Sequence, residues 1–220
     1  CSNDLEEYFI SESELTAYQK GLKAYFFEIA LGFENGSATL ATRKWKEEMK
    51  IFVGGNPTPE ILDELERVRL ELNNLVTDGF SISIVEDSTA SNFYAFFGSP
   101  QAFAKIFPKS ANAVQNNLGT FYVDYENHYI NSGRMFIDMS RNKNLTFQKH
   151  FTREELTQSL GLGQDSPRFM TSIFQSRPSS TTEFSKLDRD VISLLYHPEM
   201  KVGLSTETLN FTINKILVNQ

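Results

Sequence analysis

Reactive side chains concentrate in the stretch Phe151-Thr152-Arg153-Glu154-Glu155-Leu156-Thr157-Gln158-Ser159-Leu160-Gly161-Leu162-Gly163-Gln164-Asp165. It offers carboxylates at Glu154, Glu155 and Asp165 and amides at Gln158 and Gln164. On a helix, Glu154 and Gln158 stand at i and i+4 and share one face. Glu154 and Glu155 point about 100° apart, so the two carboxylates do not easily share one substrate atom. Glu154, Gln158 and Asp165 are therefore expected to form a polar pocket for a peptide, a glycan or an ion. Thr152-Arg153-Glu154-Glu155 also has capping-box spacing, in which the N3 carboxylate accepts the N–H of the cap residue. Glu155 thus has two readings at this point, a helix cap or a member of the pocket.

The other candidates are sparser. The three histidines stand at 128, 150 and 197. A helix opening at Thr152 leaves His150 just outside it, out of line with Glu154. His197 follows Tyr196 at a helix end, where an imidazolium suits the dipole. No G-x-S-x-G elbow occurs, and Gly54-Gly55-Asn56 lacks the Lys of a phosphate-binding loop. Asn35-Gly36-Ser37, Asn144-Leu145-Thr146 and Asn210-Phe211-Thr212 match a glycosylation pattern too short to carry weight. The single cysteine, Cys1, excludes an intrachain disulfide and a cysteine-based metal cluster. No cofactor is expected.

The elements that must position these groups read as follows. A helix is expected to open at Ser11-Glu12-Ser13-Glu14, to carry Leu22, Tyr25, Phe26 and Ile29, and to end at Gly32. Strands are expected at Met49–Val53, Ser81–Glu86, Asn92–Phe97, Thr120–Tyr125 and Arg134–Met139, the last two joined through Asn131-Ser132-Gly133. Thr58-Pro59 opens a long amphipathic helix with Ile61, Leu65, Val68 and Leu72 on its inner stripe. A short helix is expected over Gln101–Phe107. Thr152 opens one that Gly161 ends, Ser185 opens another, and Thr206–Leu217 is the last. The order predicts an α+β fold: a mixed, twisted sheet of four or five strands with one antiparallel edge strand over the Glu154 helix, then a helical C-terminal half.

The chain has 220 residues, with 28 acidic against 21 basic side chains and a net charge of −7. No Lys/Arg stripe is present, so nucleic acid is not an expected partner. Residues 1–10 read as a polar tether and 11–220 as one domain. No stretch reaches the ~18–20 apolar residues that a spanning helix needs.

Two resemblances add to this reading. Cys1-Ser2-Asn3-Asp4-Leu5-Glu6-Glu7 resembles the start of a mature bacterial lipoprotein, and its acidic run resembles the export signals of Bacteroidetes surface lipoproteins. That implies a lipid on Cys1 and a place in the cell envelope, at the outer membrane, on its periplasmic or surface face. The 151–165 stretch resembles the H-E-x-x-H-x-x-G-x-x-H helix of metzincin metalloproteases, with all three His ligands replaced. The resemblance puts Glu154 and Gln158 at the paired His positions, Glu155 at the general base, Gly161 at the turn and Gln164 at the third ligand. Ser172-Ile173-Phe174 resembles the turn that supplies a Met beneath the metal, with Phe174 in its place. The run from Ile29 to Leu217 also resembles an uncharacterised family of bacterial secreted proteins and lipoproteins, distantly zincin-like. The resemblance implies a zincin-like fold with a degenerate site and no zinc, since one carboxylate and two amides suit zinc poorly. It leaves two functions open: a non-catalytic module that binds a peptide, glycan or protein, or a peptidase with an unorthodox metal or carboxylate site.

Overall fold

The structure, a computed structural model, describes residues 12–32 and 40–219. The expectations at Cys1, the 1–10 tether, Ser11 and Asn35-Gly36-Ser37 lie outside those residues. The first helix, α1 (Ala17–Ala30), starts later than its sequence suggests, because Thr16 and Gln19 cap it reciprocally. Glu12–Glu14 forms only a 3-10 turn. Leu22, Tyr25, Phe26 and Ile29 are buried, as their spacing requires.

Strand β1 (Lys44–Trp45) precedes β2 (Met49–Gly55), helix α2 (Pro59–Leu75), β3 (Ile82–Val85) and β4 (Phe93–Gly98). Two short helices, α3 (Pro100–Ile106) and α4 (Ala111–Asn116), lead into β5 (Gly119–Glu126) and β6 (Tyr129–Asp138). The sheet has six strands in the order β1-β6-β4-β2-β3, with β5 paired to β6. Every pairing is parallel except β5 with β6. The sixth strand, β1, exceeds the expected count; two residues give too little periodicity to be read in advance. The expected α+β arrangement, a mixed sheet with one antiparallel edge strand, is present.

The β5–β6 connection differs from its sequence reading. Asn127 and His128, at φ 50° and 67°, make the two-residue turn, as a type I′ hairpin requires. Asn131-Ser132-Gly133 lies inside β6 instead, with Gly133 opposite both Val123 and Phe93.

Side chains alternate across the sheet. Ile51, Phe93, Ala95, Met135 and Ile137 join the main core with Ile61, Leu65, Val68 and Leu72 of α2. Phe96 and Phe136 point the other way, into a small cluster with Phe103 and Val114. The C-terminal half is helical: α5 (Leu145–Gln158), α6 (Lys186–Leu195) and α7 (Thr206–Val218). Helix α6 has the capping box read from sequence, Ser185 with Asp188.

Helix α5 overturns one expectation. Its cap is Asn144, whose side chain accepts the N–H groups of Thr146 and Phe147, so the helix begins seven residues before Thr152. Thr152 sits mid-helix and donates its hydroxyl to the Gln148 carbonyl at 2.8 Å. The helix-cap reading of Glu155 therefore falls, and His150 belongs to the same helix as Glu154.

Candidate functional site

Helix α5 presents three chemically different faces. One enters the core through Leu156, with Leu160 just beyond the helix end. A second places the fully buried Arg153 against α2, where its guanidinium pairs with Glu64 at 3.1 Å and Glu71 at 3.0 Å. The third carries Phe147, His150, Phe151, Glu154, Glu155 and Gln158, the i, i+3, i+4, i+7, i+8, i+11 series of one helical stripe. That stripe lines a cleft of about 590 Å³. Gly119, Thr120 and Phe121 of β5 form one wall, and the 175–179 segment forms another.

Of the candidate residues read from the sequence of this stretch, the structure brings all but Gln164 to one cleft. Glu154, Glu155, Gln158 and Asp165 all line the cleft. Gln158 donates Nε2–H to Asp165 Oδ1 at 2.6 Å, which ties the helix to the segment that follows it. Gln164 is elsewhere. Its backbone N–H donates to the Ile29 carbonyl, and its amide lies against Gly32 at the end of α1. The next residue, Asp165, lines the cleft.

His150 joins the site, although its sequence position read as misplaced. The ring is 2% exposed. Nδ1 lies 2.7 Å from the Thr181 carbonyl, an acceptor only, so Nδ1 carries the proton. Nε2 then faces Glu154 Oε2 at 3.4 Å. Burial pushes the His150 pKa below the usual imidazole value, against a smaller opposing effect of the Thr181 bond. Arg177 is the only permanent cation among the cleft-lining residues described, beside three carboxylates.

Several tertiary contacts fix this geometry. Gly161 turns the chain at φ 110°, with the Arg43 carbonyl where a Cβ would lie. Trp45 Nε1–H donates to the Ser159 carbonyl at 2.9 Å, and the Tyr196 hydroxyl donates to that of Leu160 at 2.8 Å. Arg141 pairs with Asp138 and donates to the carbonyls of Val114, Gln115 and Asn117, holding the rim formed by Asn116 and Asn117. In the 172–174 turn, Phe174 is buried and its carbonyl accepts the Ser166 N–H at 2.9 Å, next to Asp165.

A zinc ion does not suit this donor set. Gln164 points away, and the Gln158 amide is engaged with Asp165. Among the described residues no group of three His, Cys, Asp or Glu is arranged to hold a metal ion.

The family described as "Protein of unknown function (DUF2927)" matches residues 19–215. The chain belongs to this family. The match takes in α1 from Gln19 onward and all of the cleft, so the DUF2927 unit includes the α5 helix, the edge strand and both walls. No curated protein matches the chain. Among solved structures it is similar to "Structure of myroilysin", with a TM-score of 0.47 and 11% identity over 70% of this chain and 95% of that one. It is also similar to "Crystal structure of myroilysin", with a TM-score of 0.43 and 13% identity over 77% of this chain and 95% of that one.

Proposed function

We propose that this DUF2927 chain is a lipid-anchored module of the bacterial cell envelope that binds an extended peptide in the α5 cleft. The observation that carries the reading is the position of β5. It is the antiparallel edge strand of the sheet, and its first residues form a wall of a cleft that holds three carboxylates. An extended peptide gains main-chain hydrogen bonds by adding to a sheet edge, and the cleft then selects among its side chains. Phe121, Phe147 and Phe151 supply apolar lining for such a chain, and the carboxylates favour basic groups.

Cys1 would carry the lipid, with the acidic residues after it as the tether. More than one acyl chain would be needed for stable anchoring. Mass spectrometry of protein from its native membrane fraction tests the anchor, and an unmodified Cys1 rejects it. Isothermal titration of the purified domain with a peptide library tests the cleft. Binding of extended peptides that weakens at least tenfold on Glu154→Gln supports the reading, and absence of any peptide binding rejects it.

A peptidase is the second reading, favoured by one observation. Glu155 lines the same cleft at the general-base position of the metzincin-like pattern. Peptide cleavage that Glu155→Gln abolishes would select this reading over the first.

A further inference from the structure

The chain has nine arginines, and Arg177 alone has a guanidinium without a partner among the described residues. Seven of the others reach a carboxylate, and Arg43 donates to the Ala41 carbonyl. At Arg177 only the backbone N–H is bonded, to Gln175 Oε1 at 3.0 Å. Acidic side chains outnumber basic ones 28 to 21, so the exception is not for want of carboxylates. It also falls on a wall of the cleft, where Arg177 is the one permanent cation among the described lining residues.

The backbone beneath it is held on both sides. Gln175 is 3% exposed and bridges Ser166, and the Ser176 N–H donates to the Ser166 carbonyl at 3.2 Å. On the other side Pro178 fixes its own φ and disfavours a helical conformation at Arg177. Little beyond the side-chain torsions is left to order when an acceptor arrives.

We propose that Arg177 receives a carboxylate of the bound peptide, its C-terminal group or an Asp or Glu side chain, through paired N–H···O bonds. The inference rests on the peptide-binding reading and gives the bound chain a polarity. Glu154, Glu155 and Asp165 contribute by repulsion, whatever else they touch. They disfavour an acid group on the α5 side of the cleft and leave the 175–179 wall as its place. Ser176, exposed and lining the same wall, adds a neutral donor.

The test uses the full chain with three pentapeptides. N-acetyl-Ala-Phe-Ala-Phe-Ala has a free C-terminal carboxylate, its C-terminal amide has no carboxylate, and N-acetyl-Ala-Phe-Asp-Phe-Ala-amide has only a side-chain carboxylate. Titration calorimetry at pH 7.5 should show at least about tenfold tighter binding for one or both carboxylate peptides than for the plain amide. The stronger of the two identifies the group that is read. Arg177→Gln, at an exposed position, should bring that preference below about twofold. Equal binding of all three, tightest binding of the plain amide, or a preference that survives Arg177→Gln overturns the inference and leaves the peptide reading in place. Failure of all three to bind also overturns the inference, and failure of the wider library with them overturns the peptide reading as well.

Discussion

Gly119 on β5 and Glu155 on α5 meet across the cleft so closely that a methyl group on Gly119 would stand 2.6 Å from Glu155 Oε1. The same methyl group would lie 3.1 Å from the Phe151 Cβ. The strand can approach the helix at this distance only without a side chain. Gly119→Ala should therefore swing the Glu155 carboxylate aside and cost about 1–3 kcal/mol through overpacking. Urea denaturation would measure the loss, and peptide affinity should fall in a protein that still folds.

Gly161 is under a harder constraint. It combines φ 110° with a carbonyl oxygen, that of Arg43, 2.1 Å from where a Cβ would be. Backbone, unlike a side-chain tip, cannot swing away. Gly161→Ala should destabilise the domain by at least about 2 kcal/mol, read from its thermal midpoint or its yield of folded protein.

Arg153 should be costly to truncate. It is fully buried, stacks over Phe184 with its Cζ 4.4 Å from the ring centroid, and pairs with Glu64 and Glu71. Removing it leaves Glu64 buried without that charge partner. Arg153→Ala should cost about 3–5 kcal/mol, and Arg153→Ala with Glu64→Gln should recover part of the loss. A double-mutant cycle in denaturant measures both.

Asp188 makes stability depend on pH. Burial raises its pKa above the usual carboxylate value, outweighing hydrogen bonds from Ser172, Ser185 and the Ile173 N–H. A raised folded-state pKa means that the native state holds the proton more tightly than the unfolded chain does. The stabilisation is then full below the unfolded value, near 4, and is lost as pH rises through the folded value. Asp188→Asn should remove this one decline, so stability plotted against pH should fall less steeply above about pH 4 than in the parent.

Much of the fold was legible because its signals were local. The stripes of α2, α6 and α7, the Ser185 box, the turn at Gly161 and the β5–β6 pair all depend on neighbours in sequence. The start of α5 misled, because Thr152 and Glu155 have capping-box spacing while the true cap, Asn144, stood in a glycosylation-like triplet. An interior threonine that bonds to the carbonyl four residues back leaves no mark in sequence. That one boundary hid His150, whose spacing to Glu154 and Gln158 is regular once the helix is extended. The departure of Gln164 from the cleft was beyond reach for another reason. The chain direction after Gly161 is set by contacts with Arg43 and Ile29, more than a hundred residues away.

The buried Arg153 also bears on the orientation of α5. Leu156 and Arg153 seat the helix in two unlike sockets, one aliphatic and one acidic. A slip of one residue would rotate the helix by about 100°, driving a guanidinium towards solvent and a carboxylate towards leucines. The angular setting of His150, Glu154 and Glu155 is thus keyed from behind, by an arginine that is not among the residues lining the cleft. Sequence change on the cleft face can alter what is bound without loosening the helix that presents it.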